Sequence, residues 1–183
     1  MGNWGKLLTP LVVVAGLLVG FSAPVVAAVP DDEFVLTFPH SDPETHFLSE
    51  FGVAKPDGRI HRGVDLFAER GSEVVAGADG FVQEVQRRSR AGLYVVLSHA
   101  DGFETWYLHL GSFADGLEEG APVAVGDVIG YVGSTGNAAG TSPHTHFEIH
   151  ENGRAIDPYR YLKDAMERWV LSQQIEAGET PFR

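Results

Sequence analysis

Seven short runs of β-branched and aromatic residues follow one another between residues 64 and 150. This pattern restricts the possible folds more than any other feature of the sequence. Gly, Asp and Asn residues typical of turns separate the runs, and the 3.6-residue period of a helix is nearly absent. Asp101-Gly102 and Asn152-Gly153 have the composition of two-residue hairpin turns. We therefore predict a mostly antiparallel β-sheet domain built from hairpins, with strands at residues 64–68, 73–76, 80–86, 93–99, 103–110, 128–133 and 145–150.

The segments on either side of this region differ from it. Residues 34–38 read FVLTF and are a further strand candidate between loops rich in proline and acidic residues. Residues 158–176 support a C-terminal helix, with the apolar side chains of Leu162, Met166, Trp169 and Val170 near one face.

Residues 1–28 have the layout of a secretory signal peptide. Lys6 is their only charged residue, and an apolar run is followed by the small-residue stretch SAPVVAA, which predicts cleavage after Ala27 or Ala28. The alternative is an uncleaved anchor, because the apolar stretch is nearly long enough to span a bilayer. We expect export to the periplasm, the cell envelope or the extracellular space, and membrane contact only through this segment if it is retained.

The net charge disfavours some binding partners, and the lack of cysteine excludes some covalent modifications. The chain has 25 acidic against 13 basic residues, a net charge of −12, which disfavours binding to nucleic acid or anionic lipid. It has no cysteine, so neither a disulfide nor a lipid-modified N-terminal cysteine is available, and stability must come from the core or a bound metal. We expect a monomer.

The stretch IHRGVDLFAE contains the first candidate ligands. His61 and Asp65 are four residues apart and share one face of a strand, which Gly63, Val64 and Phe67 favour over a helix. Gly63 lies between them without a side chain and leaves room for an ion. Taken alone, the pair is equally consistent with a solvated His and Asp beside a turn.

The stretch SPHTHFEIH contains the second cluster. In a strand Thr145, Phe147 and Ile149 face one way, toward the core. The opposite face then carries His144, His146, Glu148 and His150.

The stretch FETWYLHL shows a similar alternation. It predicts Trp106, Leu108 and Leu110 on one face, and it places His109 on the other, less apolar face.

These residues together match the requirements of a hydrolytic metal site. Two histidines and a carboxylate are the ligand set of a catalytic zinc that keeps one position for water. The chain has no H-E-x-x-H motif, so histidines would have to supply the acid and base, and activity would fall as the pH drops through roughly 6 to 7. Three ligands and two acid/base groups would then come from His61, Asp65, His109, His144 and His146.

The motifs HRGVD, WYLHL and GSTGNAAGTSPHTHFEI, in this order, closely resemble those of the LytM or lysostaphin-type zinc endopeptidases that cut peptidoglycan peptides. The resemblance covers roughly residues 46–162. It implies one zinc ion per chain bound by His61, Asp65 and His146, with His109 and His144 in catalysis. It also implies a peptidoglycan peptide as substrate and a groove over the central sheet. The glycine-rich stretch GSTGNAAGTS lacks the lysine and the following helix of a phosphate loop, so we interpret it as a mobile wall of a substrate groove.

The resemblance leads to a division of the chain into four parts. Residues 1–28 are the signal peptide or anchor, 29–45 an N-terminal extension, 46–162 the peptidase domain, and 163–183 the C-terminal helix and tail. Other polar residues near the motifs have simpler interpretations. His99 is expected at a hairpin edge, Glu148 and His150 in outer support of the site or at the surface, and His40 and His46 in a polar loop.

Two other functions are compatible with parts of the sequence. One is a catalytically silent wall-binding module that activates another hydrolase, which the complete set of five residues argues against. The other is a sugar-transport phosphocarrier, because VAGADGFV and VAVGDVIGYVG resemble the hairpins of biotinyl-like β folds. Such carriers are cytoplasmic, so the export segment argues against this function.

Overall fold

The structure, a computed structural model, describes residues 34–55 and 57–178. These residues form ten β-strands and one α-helix. In chain order they are β1 (Val64–Phe67), β2 (Glu73–Val75), β3 (Gly80–Arg88), β4 (Gly92–Ser98), β5 (Phe103–Leu110), β6 (Ser112–Phe113), β7 (Pro122–Val123), β8 (Val128–Tyr131), β9 (His144–Glu151), β10 (Arg154–Ile156) and α1 (Tyr159–Glu176). The predicted signal segment, residues 1–28, lies outside the described residues. Within them, no helix has both the length and the apolar character needed to cross a bilayer.

The strands form two antiparallel sheets, as the hairpin pattern predicts. The larger sheet has the order β1-β9-β5-β4-β3-β7, and β10 also pairs with β9. The smaller sheet has the order β2-β8-β6. The late strand β9 thus lies between β1 and β5, and this arrangement brings distant parts of the sequence together. The predicted fold class, mostly β with a C-terminal helix, is confirmed.

One hydrophobic cluster joins the two sheets and the helix. The inner face of the large sheet contributes Tyr107, Phe147 and Ile149, all fully buried, and α1 contributes Leu162. Met166 and Trp169 pack against this cluster, as the helical pattern predicts, but Val170 is exposed. The opposite face of the large sheet is therefore the one that carries the polar residues of β9.

The two predicted hairpin turns differ in length. Asn152 and Gly153, with φ of 50° and 77°, form a two-residue turn between β9 and β10. Asp101 and Gly102 also have positive φ, but they belong to a 3-10 turn in a four-residue connection from β4 to β5. The prediction of a two-residue turn there is wrong, because the ladder stops at Ser98 and His99 already belongs to the loop.

Residues 34–38 are not a strand, contrary to the sequence prediction. Their alternation reflects burial, since Leu36 and Phe38 are 1% exposed in the core. The Thr37 N–H donates to the Gly77 carbonyl at 2.6 Å and the Leu36 carbonyl accepts from the Arg168 side chain at 2.7 Å, but neither contact belongs to a strand ladder. Pro39, which has no N–H, follows directly, and the next bridge is the isolated pair of His40 with Val74.

Strand β5 contains a bulge that changes which residues face the core. Its register with β4 shifts between the pairs Val95–Tyr107 and Leu93–Leu110, so β5 has one extra residue there. His109 has a φ of +66°, in the left-handed region. Strict alternation would place His109 beside Tyr107 in the core, whereas the bulge turns Leu110 inward and His109 outward.

The face assignment made for β5 from sequence is therefore wrong. Thr105 and Tyr107 face the core and are fully buried. Trp106 lies on the opposite face, where its ring stacks on His150 with centroids 4.8 Å apart. His109 does reach the face of the β9 histidines, but because of the bulge and not through strand parity.

Candidate metal centre

Three groups from two neighbouring strands and the loop before them meet on the outer face of the large sheet. Asp65 in β1 lies directly opposite His146 in β9. His61 precedes β1 and lies in a loop, not in a strand as predicted. Its N–H donates to the Val53 carbonyl, and its own carbonyl accepts from the Gly52 N–H. The loop still brings His61 and Asp65 to the same side.

Gly63 allows the two strands to approach closely. A Cβ atom at this position would lie 2.2 Å from the Phe147 carbonyl oxygen and 2.9 Å from Nε2 of His146. The space that the sequence assigns to an ion is thus occupied by the β9 backbone and the His146 ring. The ligating atoms converge beside it.

The three candidate ligand atoms lie within hydrogen-bond distance of one another. His61 Nε2 is 3.1 Å from Asp65 Oδ1 and 2.9 Å from His146 Nδ1. His146 Nδ1 is 2.8 Å from the same carboxylate oxygen. Both imidazoles are buried, and Asp65 is partly buried.

The outer nitrogens of the two rings determine what the inner ones can do. His61 Nδ1 donates to the Glu50 carbonyl at 3.1 Å, and His146 Nε2 donates to the Glu148 carboxylate at 2.9 Å. Because both partners only accept, these nitrogens carry the protons, and in neutral rings the inner nitrogens carry lone pairs. Two lone pairs and a carboxylate oxygen then face one point. These electron-rich atoms repel one another unless a proton or a metal cation lies between them.

Without a metal, a proton satisfies this centre. Burial lowers the pKa of His146, but hydrogen bonds to Asp65 and Glu148 outweigh burial and raise the pKa to about 9. Burial raises the pKa of Asp65, yet hydrogen bonds from His146 and His61 hold it well below its usual value. The carboxylate thus remains charged and attracts a cation.

The two remaining predicted site residues lie beside this centre. The His109 ring is 5.3 Å from the His144 ring and 5.9 Å from the His146 ring, between centroids. His109 Nδ1 donates to the Thr135 carbonyl at 3.0 Å, and His144 Nδ1 donates to the Ser142 carbonyl at 2.8 Å. In each neutral ring the proton is therefore on Nδ1, and Nε2 is left to accept one.

A match to known proteins fits this arrangement. The sequence profile described as peptidase family M23 matches residues 59–158, which contain all five of these side chains. The chain belongs to peptidase family M23. This confirms the family that the three motifs indicate.

Individual members of the family show how much of the chain is shared. A DD-carboxypeptidase/endopeptidase, Mpg, of Neisseria meningitidis is 43% identical over 102 residues, 55% of this chain. The chain spans only 22% of the length of that relative. The structure of a zinc-containing peptidase from Vibrio cholerae matches with a TM-score of 0.59 and 31% identity, over 68% of this chain and 39% of that one. The catalytic domain of lysostaphin from Staphylococcus simulans matches with a TM-score of 0.54 and 31% identity, over 64% of this chain and 90% of that one.

The donor set of this M23 domain fits zinc. Zinc–ligand distances of about 2.0–2.1 Å in a tetrahedral site place the ligand atoms about 3.3 Å apart. The three inner atoms are 2.8–3.1 Å apart, so a small outward shift would accommodate the ion. Two imidazoles and one carboxylate leave a fourth position open.

Other histidines of the chain have different surroundings. His99 bonds the Asp79 carbonyl and Thr105 at the end of β4, as its interpretation as a hairpin-edge residue predicts. His150 donates to Glu148 at 2.6 Å, so these two residues support His146 from outside, as predicted. His40 is 1% exposed, not a loop residue in solvent, and it contacts Thr45 and Thr145.

Two contributors to the centre are absent from the sequence prediction. The Glu50 carbonyl, which fixes the His61 ring, comes from a loop, and a backbone group leaves no signal in residue type. Thr135 holds the His109 ring through its own carbonyl. The glycine-rich stretch around Thr135 marks a backbone that approaches others closely, and this was the available signal.

Proposed function

We propose that this chain is an exported zinc endopeptidase that hydrolyses peptide bonds in peptidoglycan stem or cross-bridge peptides. The observation that carries this proposal is the convergence of two imidazole lone pairs and a carboxylate oxygen on one point. Membership of peptidase family M23 supports it. All five side chains come from one chain, which supports action as a monomer.

His61 Nε2, Asp65 Oδ1 and His146 Nδ1 would hold the zinc ion. When bound, zinc lowers the pKa of a water molecule toward neutrality and polarises the scissile carbonyl. Glu148 keeps the proton of His146 on Nε2, and the Glu50 carbonyl keeps that of His61 on Nδ1, so the inner nitrogens stay available.

His109 and His144 would transfer protons and stabilise charge beside the metal. Each presents Nε2 as an acceptor, because Nδ1 is committed to a backbone carbonyl. Burial, followed by the charges of His146 and His144, lowers the pKa of His109 to about 4, so this ring is neutral at ordinary pH. A neutral imidazole accepts the proton of the attacking water and returns it to the leaving amine.

We propose the D-Ala to diaminopimelate cross-link as the first bond to test. The Neisseria relative is named a DD-carboxypeptidase/endopeptidase. Purified cell walls of different cross-link chemistry, incubated with the protein, should yield new peptide termini that mass spectrometry can assign. His146→Ala protein is the control. Wall binding without new termini would indicate instead a silent module that activates another hydrolase.

We propose that residues 1–28 direct export. Lys6 followed by an apolar run and small residues is the supporting pattern. Residues 1–35 fused to a reporter that is active only outside the cytoplasm should give signal. A silent reporter would contradict export by this segment.

A further inference from the structure

His109 has a backbone conformation that few non-glycine residues adopt. Its φ of +66° coincides with the β5 bulge, and its N–H leaves the β4 ladder to donate to the Ala91 carbonyl at 2.9 Å. Residues held in this way at functional sites need surrounding structure that fixes them. A relaxed β5 would turn the imidazole toward the core side of the sheet.

Thr135 contacts this bulge at several points. Its N–H donates to the His109 carbonyl at 3.2 Å, and its carbonyl accepts from His109 Nδ1 at 3.0 Å. Its hydroxyl donates to the Leu110 carbonyl at 2.8 Å and accepts from the Leu93 N–H at 2.9 Å. One residue thus binds both strands where the register shifts, together with the ring that the shift turns outward.

Two glycines make the approach of Thr135 possible. A Cβ atom on Gly92 would lie 2.1 Å from the Thr135 hydroxyl oxygen. A Cβ atom on Gly136 would lie 2.2 Å from the Arg90 carbonyl oxygen. Gly92 and Gly136 both have positive φ, so their conformations and their lack of a side chain serve the same contact.

We propose that Thr135 is the positioning residue for His109. Its hydroxyl fixes the bulge between Leu93 and Leu110, and its main chain fixes the Nδ1–H tautomer and the direction of the His109 ring. The side chain of Thr135 thereby acts on proton transfer through His109, without contact with the metal ligands. This proposal rests on the proposed function, because it assigns a role within the same hydrolytic site.

The test compares Thr135→Val, which has nearly the same shape but no hydroxyl, with Thr135→Ser, which keeps the hydroxyl. We expect Thr135→Val to lower kcat by about 10- to 100-fold with KM and zinc content near wild type, since small displacements of a catalytic group cost this much. Thr135→Ser should stay within about threefold of wild type. Thr135→Ala, measured in parallel, removes the same hydroxyl with less bulk in case the valine variant does not fold.

A double-mutant cycle with His109→Ala separates positioning from general loop stability. If Thr135 acts through His109, Thr135→Val should change kcat by less than about twofold in the His109→Ala background. An equal fractional loss in both backgrounds, or a wild-type kcat for both Thr135→Val and Thr135→Ala, would overturn the proposal.

A readout independent of activity keeps the two proposals distinguishable. In ¹⁵N-correlated NMR spectra of the imidazoles, His109 should be the Nδ1–H tautomer in the wild type. Thr135→Val keeps the backbone carbonyl but loses the hydroxyl contacts that hold it in place, so the Nδ1–H hydrogen bond should weaken and the His109 resonances should shift. This spectrum tests Thr135 even if wild-type protein cuts no wall peptide. Wild-type protein that cuts no wall peptide would count against the proposed function alone. An unchanged His109 spectrum in Thr135→Val would count against the positioning role alone.

Discussion

The Nε2–H of His146 donates to the Glu148 carboxylate across 2.9 Å, so Nδ1 of the same ring faces His61 and Asp65. The carboxylate of Glu148 also accepts from His150 at 2.6 Å. A charged acceptor on one side of an imidazole increases the basicity of the nitrogen on the other side. The same contact therefore favours both a proton and a metal at Nδ1.

Competition between these two cations predicts how zinc affinity depends on pH. In the metal-free protein the pKa of His146 is about 9, so the ring is protonated at pH 7. Zinc must displace that proton, so its affinity should fall about tenfold per pH unit below 9 from this residue alone. Calorimetry at pH 7 in buffers of different ionisation heat should show release of about one proton.

The Glu148→Gln variant tests whether the charge of Glu148 raises the proton affinity of His146. The amide oxygen still accepts from His146 Nε2 but has no charge, so proton release at pH 7 should decrease. Glu151→Gln, at the exposed end of β9, is the matched control. Equal proton release in all three proteins would contradict the role assigned to Glu148.

The ligand assignment predicts one zinc per chain. His146→Ala should abolish tight binding, because it removes one of the three converging atoms. His144→Ala should keep the metal, since its Nδ1 bonds the Ser142 carbonyl and its ring is not part of the converging group. Metal analysis after dialysis measures both. Equal loss of zinc in the two variants would show that the assignment within H-x-H is wrong.

The acid/base assignment predicts a loss of turnover without a loss of metal. His109→Ala and His144→Ala should each slow wall hydrolysis by about 10²- to 10⁴-fold while keeping zinc and the β-rich circular dichroism spectrum. A near-wild-type rate in His144→Ala would rule out its part in the mechanism.

The structure also changes the expected pH profile. An ordinary histidine predicts a fall in activity through roughly pH 6 to 7. Burial and the nearby charges lower the pKa of His109 to about 4, so the neutral, proton-accepting ring persists to more acidic pH. Zinc replaces the proton on His146 with another positive charge near His109, so with saturating zinc any loss of kcat due to protonation of His109 should still begin at a more acidic pH than 6. A fall in kcat between pH 7 and pH 6 that is absent in His109→Ala would contradict this expectation.

His40 predicts a separate effect of pH, on stability. Burial lowers its pKa in the folded protein from 6.5 to about 4. The unfolded chain therefore takes up a proton at this residue below pH 6.5, and the folded chain does so only near pH 4. The free energy of unfolding should fall by about 3 kcal/mol across this interval because of His40. Urea unfolding of wild type and His40→Gln at pH 7 and pH 4.5 measures it: the variant should have a shallower pH dependence.

Regular strands were predictable from the sequence, and irregular ones were not. In β9 the alternation of Thr145, Phe147 and Ile149 with the polar residues holds throughout, because each residue of the strand has a partner in β1, β5 or β10. In β5 the same reasoning gave the wrong faces, since a bulge adds one residue and reverses the alternation before Leu110. The sequence LHL contains no glycine that would mark such a bulge.

Residue type indicated which groups could meet, but not how each is oriented. The pattern of His61, Gly63 and Asp65 indicated two side chains that do meet in the structure, although His61 lies outside β1. The tautomers depend on the carbonyls of Glu50, Thr135 and Ser142, which any residue would supply. Such backbone contacts follow from the path of the loops, and composition does not encode that path.

The position of β9 between β1 and β5 also constrains when the centre can exist during synthesis. The contact between His61 and His146 spans 85 residues, and a chain that has emerged only as far as β8 has β1 without its neighbour in the sheet. Contacts this distant in sequence form late, because a long loop must close first. A chain that ends before residue 146 lacks one of the three converging ligand atoms, so under the proposed function we expect hydrolytic capacity only once β9 has been added.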